Sequence, residues 1–424
     1  MAISVAVYAD WEGLPVPLRL GMLHVQRDTV REIFDFEFDS VALADPAFAN
    51  LRLDPQLGLF EGRQYPPQGS ETFGVFADAS PDRWGRMLIR RRLEREHRTE
   101  KLGKKIRVYE SDYLLGVHDT FRVGALRFRL DDSGEFLDDQ YGLAAPPFVQ
   151  IRELEAASRA LEIDKDNMAA EGDDWLRMLL APGGSLGGAR PKASVVDLDG
   201  QLWIAKFPSV GDEHDAGAWE LLVHTLARKC GLRVPESLAP RFANPQHRTF
   251  LVKRFDRTPE GRRLHFASAM TLTGRRDGDD NSTGASYLDI ARVLIDHGAQ
   301  TDTDLHEMWS RIVFNVLVSN TDDHLRNHGF ILVPRKGWRL SEAFDMNPVP
   351  GSQGLKLNIS EAENEMDLDL VRSVAPHFRV DIPTANEIIE NSQAIVQQWS
   401  IIADKLEIPV REKEELALAF RLAG

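Results

Sequence analysis

The feature that most constrains this chain is a polar run of eleven residues, Ser319 to Gly329, set between two apolar stretches. Before it, apolar residues recur at helical spacing from Leu305 to Val316 and predict an amphipathic helix. After it, Phe330 to Val333 is typical of a short strand. Nine of the eleven side chains are polar or charged, so we expect none of the run in a core. A simple turn does not need two Asp, two His and two Asn, and the run therefore predicts a functional site.

Two residues of this run, Asp322 and Asn327, have the spacing of the Asp and Asn in the protein-kinase catalytic loop, H-R-D-x-x-x-x-N. That chemistry needs a carboxylate to accept the hydrogen of the acceptor hydroxyl and an amide oxygen to help hold magnesium on the phosphates. A second strand-like segment, Trp338 to Leu340, leads to Asp345, where kinases keep a further magnesium ligand. A turn-forming or helix-capping role before Pro348 is the alternative for Asp345.

A glycine-rich stretch, Pro182 to Lys192, lies upstream of the polar run. Its Gly183-Gly184 and Gly187-Gly188 pairs would let backbone N–H groups approach phosphate oxygens without interference from Cβ atoms. It is neither G-x-G-x-x-G nor a Walker A motif, and glycine richness alone more often indicates a flexible turn. Two strands, 193–198 and 202–207, follow it and flank an Asp-Gly turn signal, so we predict a hairpin.

Lys206 is a charged residue in the otherwise apolar second strand, where an unpaired ammonium would be costly to bury. A phosphate and an acid would relieve that cost, and Glu220 on the next helix is the candidate acid. A solvent-facing Lys206 and a plain surface Glu220 are the alternatives. A further strand is predicted over 249–255. The nucleotide-binding small lobe of a kinase requires this order of elements: a glycine-rich loop, a strand that carries a lysine, a helix and a further strand.

The first third of the chain predicts strands, at Ser4 to Tyr8 and Phe34 to Phe38, and a helix that begins at Ser80-Pro81. This helix and the segment after it are rich in basic residues. Such a run is typical of a solvated helix surface, with contact to an acidic partner or nucleic acid as the alternative.

Charge and cysteine content narrow the function classes. The formal net charge of −15 at pH 7 argues against broad nucleic-acid or anionic-membrane binding. A single cysteine, Cys230, excludes an internal disulfide and a multi-thiolate metal site. The N-terminal residues lack a signal-peptide pattern, and no apolar run reaches the roughly 18 residues of a spanning helix. We therefore expect a cytoplasmic protein with no membrane contact.

Taken together, these motifs resemble the HipA toxin kinases. The resemblance rests on the order of five segments: 185–192, Lys206, the Val-Lys-Arg-Phe-Asp-Arg string at 252–257, the Thr-Asp-Asp-His-Leu-Arg-Asn string at 321–327, and Phe344-Asp345. The Ser-Pro-Asp-Arg-Trp motif at 80–84 is similar to the N-terminal subdomain of that family. The resemblance implies an α+β, two-lobed protein-kinase-like fold. Its domains would be a strand-rich N-terminal subdomain at 1–145, a nucleotide-binding small lobe at 146–256, and a mainly helical C-terminal lobe at 257–424.

The resemblance also implies roles for single residues with ATP and Mg²⁺ as cofactors. Asp322 would be the catalytic base, Asn327 and Asp345 the magnesium ligands, and Ser185 an autophosphorylation site. The nucleotide would be bound by the remaining residues, namely Gly187, Gly188, Ala189, Arg190, Pro191, Lys192, Lys206, Lys253, Arg254, Phe255 and His324, together with Asn327 and Asp345. Family members can carry an acid where this chain has Lys253, so only its backbone is expected to face adenine. No role is predicted for Asp323 or His328.

As partners, the resemblance implies a small helix-turn-helix antitoxin of the HipB type, a protein substrate such as an aminoacyl-tRNA synthetase, and DNA only through the antitoxin. Two other functions stay open. A small-molecule kinase would show a deep, acid-lined pocket beside Asp322 in place of an open docking groove. A catalytically inactive binding module would bind its partner without transferring phosphate.

Overall fold

The computed structural model of the chain describes residues 2–28, 31–46, 48, 51–99, 107–130, 134–137, 146–163, 179, 188 and 190–424. These residues form two compact units. The first contains 1–211, 242–244 and 253–267, and the second contains 212–241, 245–252 and 268–424. The domain boundaries given above stay predictions.

The first unit begins with an antiparallel sheet of order β3-β2-β1-β4. Its strands are β1 (Ala2–Ala9), β2 (Leu18–Arg27), β3 (Glu32–Phe38) and β4 (Leu126–Arg129). Gly21 is required on β2, because a Cβ there would lie 2.0 Å from the carbonyl oxygen of Glu37. Both predicted strands are confirmed. In β3 the alternation fails at Asp35, which is fully buried with Arg63 at 3.6 Å.

The helices of the first unit are α1 (Ser40–Ala44), α2 (Gly74–Asp78), α3 (Arg83–Thr99), α4 (Glu110–Leu115) and α5 (Ile151–Ile163). The predicted start of α3 at Ser80-Pro81 is wrong by a few residues, because Asp82 caps the helix by accepting a hydrogen bond from the N–H of Gly85 at 2.9 Å. Its basic run is not all solvated surface. Arg86 forms a two-point pair with Glu110, and Arg91 donates to a backbone carbonyl of α5.

The predicted hairpin of the first unit is confirmed as β5 (Lys192–Val196) and β6 (Leu202–Lys206). β5 ends two residues earlier than predicted. The Asp197 carboxylate accepts hydrogen bonds from the N–H groups of Asp199 and Gln201 and so begins the turn at 197, and Gly200 completes it with φ of 78°. The register places Lys192 opposite Lys206.

The second unit is mainly helical. Its helices are α6 (Ala216–Lys229), α7 (Ala269–Leu272), α8 (Tyr287–His297), α9 (Thr301–Leu317), α10 (Leu368–Val374), α11 (Ile382–Val396), α12 (Trp399–Lys405) and α13 (Val410–Leu416). The helix predicted before the polar run is α9, and the apolar residues that define it are all fully buried. Since its C-terminal end is held inside this core, α9 gives the polar run a rigid starting point.

Short strands complete the second unit. Ser237–Leu238 (β7) pairs antiparallel with Phe250–Lys253 (β8), of which Lys253 belongs to the first unit, and Phe266–Ser268 (β9) crosses the boundary so that Ser268 begins the next part of the second unit. Gly329–Val333 (β10) and Gly337–Leu340 (β11) form an antiparallel hairpin, as the sequence predicts. The polar run therefore joins a buried helix to this hairpin. None of the helices in the described ranges combines the length and the apolar character that crossing a bilayer requires.

Candidate active site

The polar run leaves α9 through Ser319, a fully buried residue with φ of 51°. Non-glycine residues rarely adopt this left-handed conformation, so its surroundings must hold it there. The Ser319 hydroxyl donates to the carbonyl of Ala419 at 2.7 Å, and its carbonyl accepts a hydrogen bond from the N–H of Val349 at 3.0 Å. The turn that starts the run is thus fixed from two directions.

Asp322 and Asp323 are neighbours with opposite environments. Asp322 is exposed, whereas only 3% of the Asp323 surface is accessible. One carboxylate oxygen of Asp323 accepts three hydrogen bonds, from the Tyr287 hydroxyl at 2.6 Å, the Asn315 amide at 2.8 Å and the His328 ring at 2.7 Å. Three donors offset the cost of burying the carboxylate. Asp322 is left as the carboxylate that a substrate can reach.

Tyr287 is a dependable donor in this cluster. Burial, and next the charge of Asp323, raise the pKa of Tyr287 well above its ordinary value. The phenol therefore keeps its proton and donates a hydrogen bond to the carboxylate. The same burial corrects one expectation from the sequence, since Asp323, Asn327 and His328 are core residues although they belong to the polar run.

Asn327 ends a short 3₁₀ turn, Leu325–Asn327, and is 5% exposed. Its amide nitrogen donates to the carbonyl oxygen of Asp322 at 3.3 Å, which orients the side chain. Its amide oxygen is buried and accepts no hydrogen bond from any described residue. A buried oxygen without a donor is costly in an apo protein and fits a hard cation, because magnesium prefers oxygen ligands.

Asp345 lies after β11 with φ of 58°, a second left-handed conformation at a non-glycine residue. Its segment is bonded to the polar run in two places. The N–H of Asn347 donates to the Asn320 side chain at 3.1 Å, and Val349 bonds Ser319 as described. The structure therefore ties the segment that carries Asp345 to the polar run that carries Asp322 and Asn327.

These residues fit a magnesium ion held mostly by a nucleotide. Among the described residues there is no group of three or more His, Cys, Asp or Glu side chains arranged to hold a metal. Magnesium does not need one, because it is usually bound through one or two protein oxygens together with phosphates and water. Asn327 and Asp345 would supply those oxygens. His324, predicted to lie along the nucleotide, has a buried Nδ1 that bonds no described residue.

In the first unit, the end of the glycine-rich stretch is held by a buried ion pair. The Lys192 ammonium donates to Asp82 at 2.9 Å and to the Gly188 carbonyl at 3.3 Å, and its side chain is 2% exposed. Gly188 has φ of 58°, and the Arg190 guanidinium donates to the carbonyl of Phe207. Lys192 therefore links Gly188, at the end of the glycine-rich stretch, to Asp82. Ser185, Gly187 and Ala189 lie outside the described residues.

The string that contains the predicted adenine-facing residues is anchored by Asp256. Arg254 donates to both oxygens of this carboxylate, at 2.8 and 2.6 Å, and Arg257 donates to it at 2.8 Å. Burial opposes ionisation of Asp256, but these two arginines lower its pKa below the ordinary range. The Arg254 side chain also donates to the Phe121 carbonyl. The Arg254 guanidinium is thus used within the protein interior, and nucleotide contacts from Lys253, Arg254 and Phe255 stay predictions.

Lys206 and Glu220, the predicted ion pair, lie in different units. Lys206 ends β6 and is 9% exposed, and Glu220 lies on α6 and is 4% exposed. Both surface alternatives are therefore excluded for these residues, because each side chain is buried. Their pairing, and the contact of Lys206 with phosphate, stay predictions.

Sequence reasoning missed Asp323, His328, Tyr287 and Asn315. One signal was present: Asp322-Asp323 and Asn327-His328 are two doublets offset by the same five residues, so each proposed catalytic residue has a buried companion. Tyr287 carries no such signal, because it lies 36 residues from Asp323.

Comparison with known proteins shows which family this chain resembles. The model of the HipA-like C-terminal domain matches residues 184–399. A Sinorhizobium fredii protein named "Putative kinase Y4dM" is 31% identical over 50% of this chain and 55% of its own length. A Haemophilus influenzae protein named "Putative kinase" is 27% identical over 45% of this chain and 59% of its own length. The chain thus spans somewhat more than half the length of these curated relatives.

A solved structure extends the likeness to nearly the whole chain. HipA of Shewanella oneidensis, in a complex with HipB and its operator DNA, matches with a TM-score of 0.66 over 99% of this chain and 95% of its own, at 16% identity. This match confirms the predicted α+β, two-lobed fold. Because the family model covers just over half of the residues, the chain belongs to the HipA-like family.

Proposed function

We propose that this chain is a serine/threonine kinase that transfers the γ-phosphate of magnesium-bound ATP to a protein hydroxyl. The observation that carries the proposal is the division of the polar run into an exposed carboxylate, Asp322, and a buried amide oxygen of Asn327 that lacks a donor among the described residues. One is suited to accept a proton from a substrate and the other to bind a cation. Asp345, in the segment bonded to the run, would complete the magnesium site.

In the proposed reaction, Asp322 accepts the proton of the acceptor hydroxyl as the new oxygen–phosphorus bond forms and the bond to ADP breaks. Magnesium, when bound, neutralises charge on the phosphate oxygens. Asn327 and Asp345 would hold the ion through their side-chain oxygens. The hydrogen bond from the Asn327 amide to the backbone of Asp322 supports this proposal, because it joins the proposed base and one proposed metal ligand within the same short turn. The glycine-rich loop and Lys206 would bind the phosphates.

The proposal extends to a toxin of a type II toxin–antitoxin module. Its support is membership of the HipA-like family and the HipA fold, since the Shewanella oneidensis HipA is found with HipB and DNA. A HipB-like helix-turn-helix antitoxin would be the partner, DNA would be approached through it, and an aminoacyl-tRNA synthetase would be the substrate. Ser185 would be the autophosphorylation site, and the protein would act in the cytoplasm.

Asp322→Asn tests the assignment of the base. We expect phosphoryl transfer to fall by about 10²- to 10⁴-fold, the usual effect of losing a positioned acid or base. Magnesium-dependent ATP binding should stay within about threefold, because Asp322 is exposed and contributes little to the core. The matched control is Asp302→Asn, which changes an aspartate of the same unit with a side chain 74% exposed.

Transfer is measured with γ-labelled ATP, both onto the chain itself and onto myelin basic protein. A phosphopeptide that contains Ser185 should form in the wild type and be missing from Asp322→Asn. Equal transfer by the wild type and a folded Asp322→Asn variant would refute the base assignment. ATP binding by a wild type that transfers no phosphate to either acceptor would point to the inactive binding module.

A further inference from the structure

A continuous line of hydrogen bonds joins Asn347, in the segment that follows Asp345, to Asp323 in the polar run. The N–H of Asn347 donates to Oδ1 of Asn320 at 3.1 Å. The amide nitrogen of Asn320 donates to Oδ1 of Asn315 at 3.0 Å, and the amide nitrogen of Asn315 donates to Oδ2 of Asp323 at 2.8 Å. The three side chains are between 2 and 3% exposed. They are therefore shielded from competing water.

The direction of every bond in this line is fixed by its ends. A backbone N–H, at Asn347, can only donate, and an ionised carboxylate, at Asp323, can only accept. Each asparagine between them must then turn its oxygen toward one neighbour and its nitrogen toward the other. No single amide can rotate by half a turn without breaking two bonds, so the line has one arrangement.

Each end of the line stands next to a group of the proposed active site. Asp323 follows the proposed base, Asp322, and also accepts from His328, which follows the proposed magnesium ligand Asn327. A shift of the Asp323 carboxylate would thus move both proposed groups. At the other end, Asn347 is two residues beyond Asp345. The line therefore joins the base and the two metal ligands through short lengths of backbone.

Asn315 is the member that anchors this line to the rigid part of the unit. It lies on α9, and its backbone carbonyl also accepts a hydrogen bond from the N–H of Asn320 at 2.9 Å. It thus holds Asn320 by both side chain and backbone while it holds Asp323 by its amide nitrogen. Groups fixed on a packed helix are positioned more tightly than groups on loops.

We propose that Asn315 is a positioning residue that keeps the base and the magnesium ligands in register. This inference rests on the proposed function and adds to it a residue that would touch neither nucleotide nor substrate. A merely structural Asn315 would affect stability and leave turnover by the folded protein unchanged. A positioning Asn315 affects turnover and magnesium dependence while nucleotide binding without magnesium stays intact.

The test is Asn315→Leu, which keeps the volume and removes the donor and the acceptor. We expect kcat at saturating ATP and magnesium to fall about 10- to 100-fold, because a misplacement of about 1 Å costs about 10²-fold. The magnesium concentration for half-maximal ATP binding, measured by thermal shift, should rise at least about threefold. ATP binding without magnesium should be unchanged. The control is Asn386→Leu, a helical asparagine of the same unit whose side chain accepts from Arg372 and bonds no member of the line.

Asn320→Ala provides a second break in the same line and leaves the bond between Asn315 and Asp323 in place. It should lower kcat similarly, and the double variant should resemble the worse single variant because both changes remove one connection. Wild-type kcat and magnesium dependence in folded Asn315→Leu or Asn320→Ala would overturn the inference. This outcome differs from failure of the proposed function, in which the wild type itself shows no transfer that depends on Asp322. In that case the magnesium titration still decides whether Asn315 positions the metal ligands.

Discussion

Removing one partner of the buried ion pair between Lys192 and Asp82 should cost a large part of the free energy of unfolding. Their side chains are 2% and 5% exposed, and the ammonium lies 2.9 Å from the carboxylate. Lys192→Met removes the charge and leaves Asp82 buried with the N–H of Gly85 as a donor. Asp82→Asn keeps an oxygen for that cap but leaves the Lys192 ammonium with the carbonyl of Gly188.

The size of the effect follows from the loss of the oppositely charged partner. Removing one member of a buried pair costs about 3 to 5 kcal/mol, because an uncompensated charge stays in the interior. We expect each single variant to lose about that much free energy of unfolding. In the double variant neither charge remains, so its loss should be smaller than the sum of the single losses by about 2 kcal/mol or more.

The measurement is urea unfolding of the four proteins of this cycle, followed by far-UV circular dichroism. The control is Arg31→Met, which removes the cation of a surface pair with Asp28 at 3.6 Å, in which the side chains are 73% and 56% exposed. Its loss should stay below about 0.5 kcal/mol. Additive single losses, within about 0.5 kcal/mol, would refute the reasoning that the two charges are buried against each other.

Two further predictions concern pH and magnesium. Burial lowers the pKa of His265 to about 3 in the folded protein. In the unfolded chain the same histidine has an ordinary pKa of about 6.5, so between pH 6.5 and pH 3 the unfolded state binds one more proton than the folded state. The contribution of His265 to the free energy of unfolding is therefore complete above pH 6.5 and decreases toward pH 3 by up to about 1.4 kcal/mol per pH unit. His265→Phe should remove this pH dependence from unfolding curves measured in acid. Asn327→Ala and Asp345→Ala should each weaken the magnesium dependence of ATP binding, and their effects should not add if the two side chains hold the same ion, as proposed. Fully additive magnesium titrations would contradict a shared site.

The secondary structure around the site was predictable because local patterns determine it. The apolar spacing from Leu305 to Val316 is confirmed as α9, and the strand signals on either side of Gly200 are confirmed as a hairpin. The misplaced ends had a common cause. At α3 and at β5, an aspartate side chain bonds nearby N–H groups and moves the boundary, and such local bonds compete with the regular pattern.

The partners of buried charges were not predictable, because they are distant in sequence. Lys192 meets Asp82 across 110 residues, and Tyr287 meets Asp323 across 36. From the sequence alone, a lysine after a glycine-rich stretch indicates phosphate binding. In the folded chain the Lys192 ammonium is already paired with Asp82, and it also donates a hydrogen bond to the carbonyl of Gly188.

The two adjacent aspartates explain why the polar run is half buried. A loop that presents a reactive carboxylate to solvent needs a rigid support, and an apolar side chain at 323 could not accept the bonds of Tyr287, Asn315 and His328. A carboxylate at this position gathers all three donors on one oxygen. The buried Asp323 side chain therefore fixes the backbone next to Asp322, while the Asp322 side chain stays exposed to solvent.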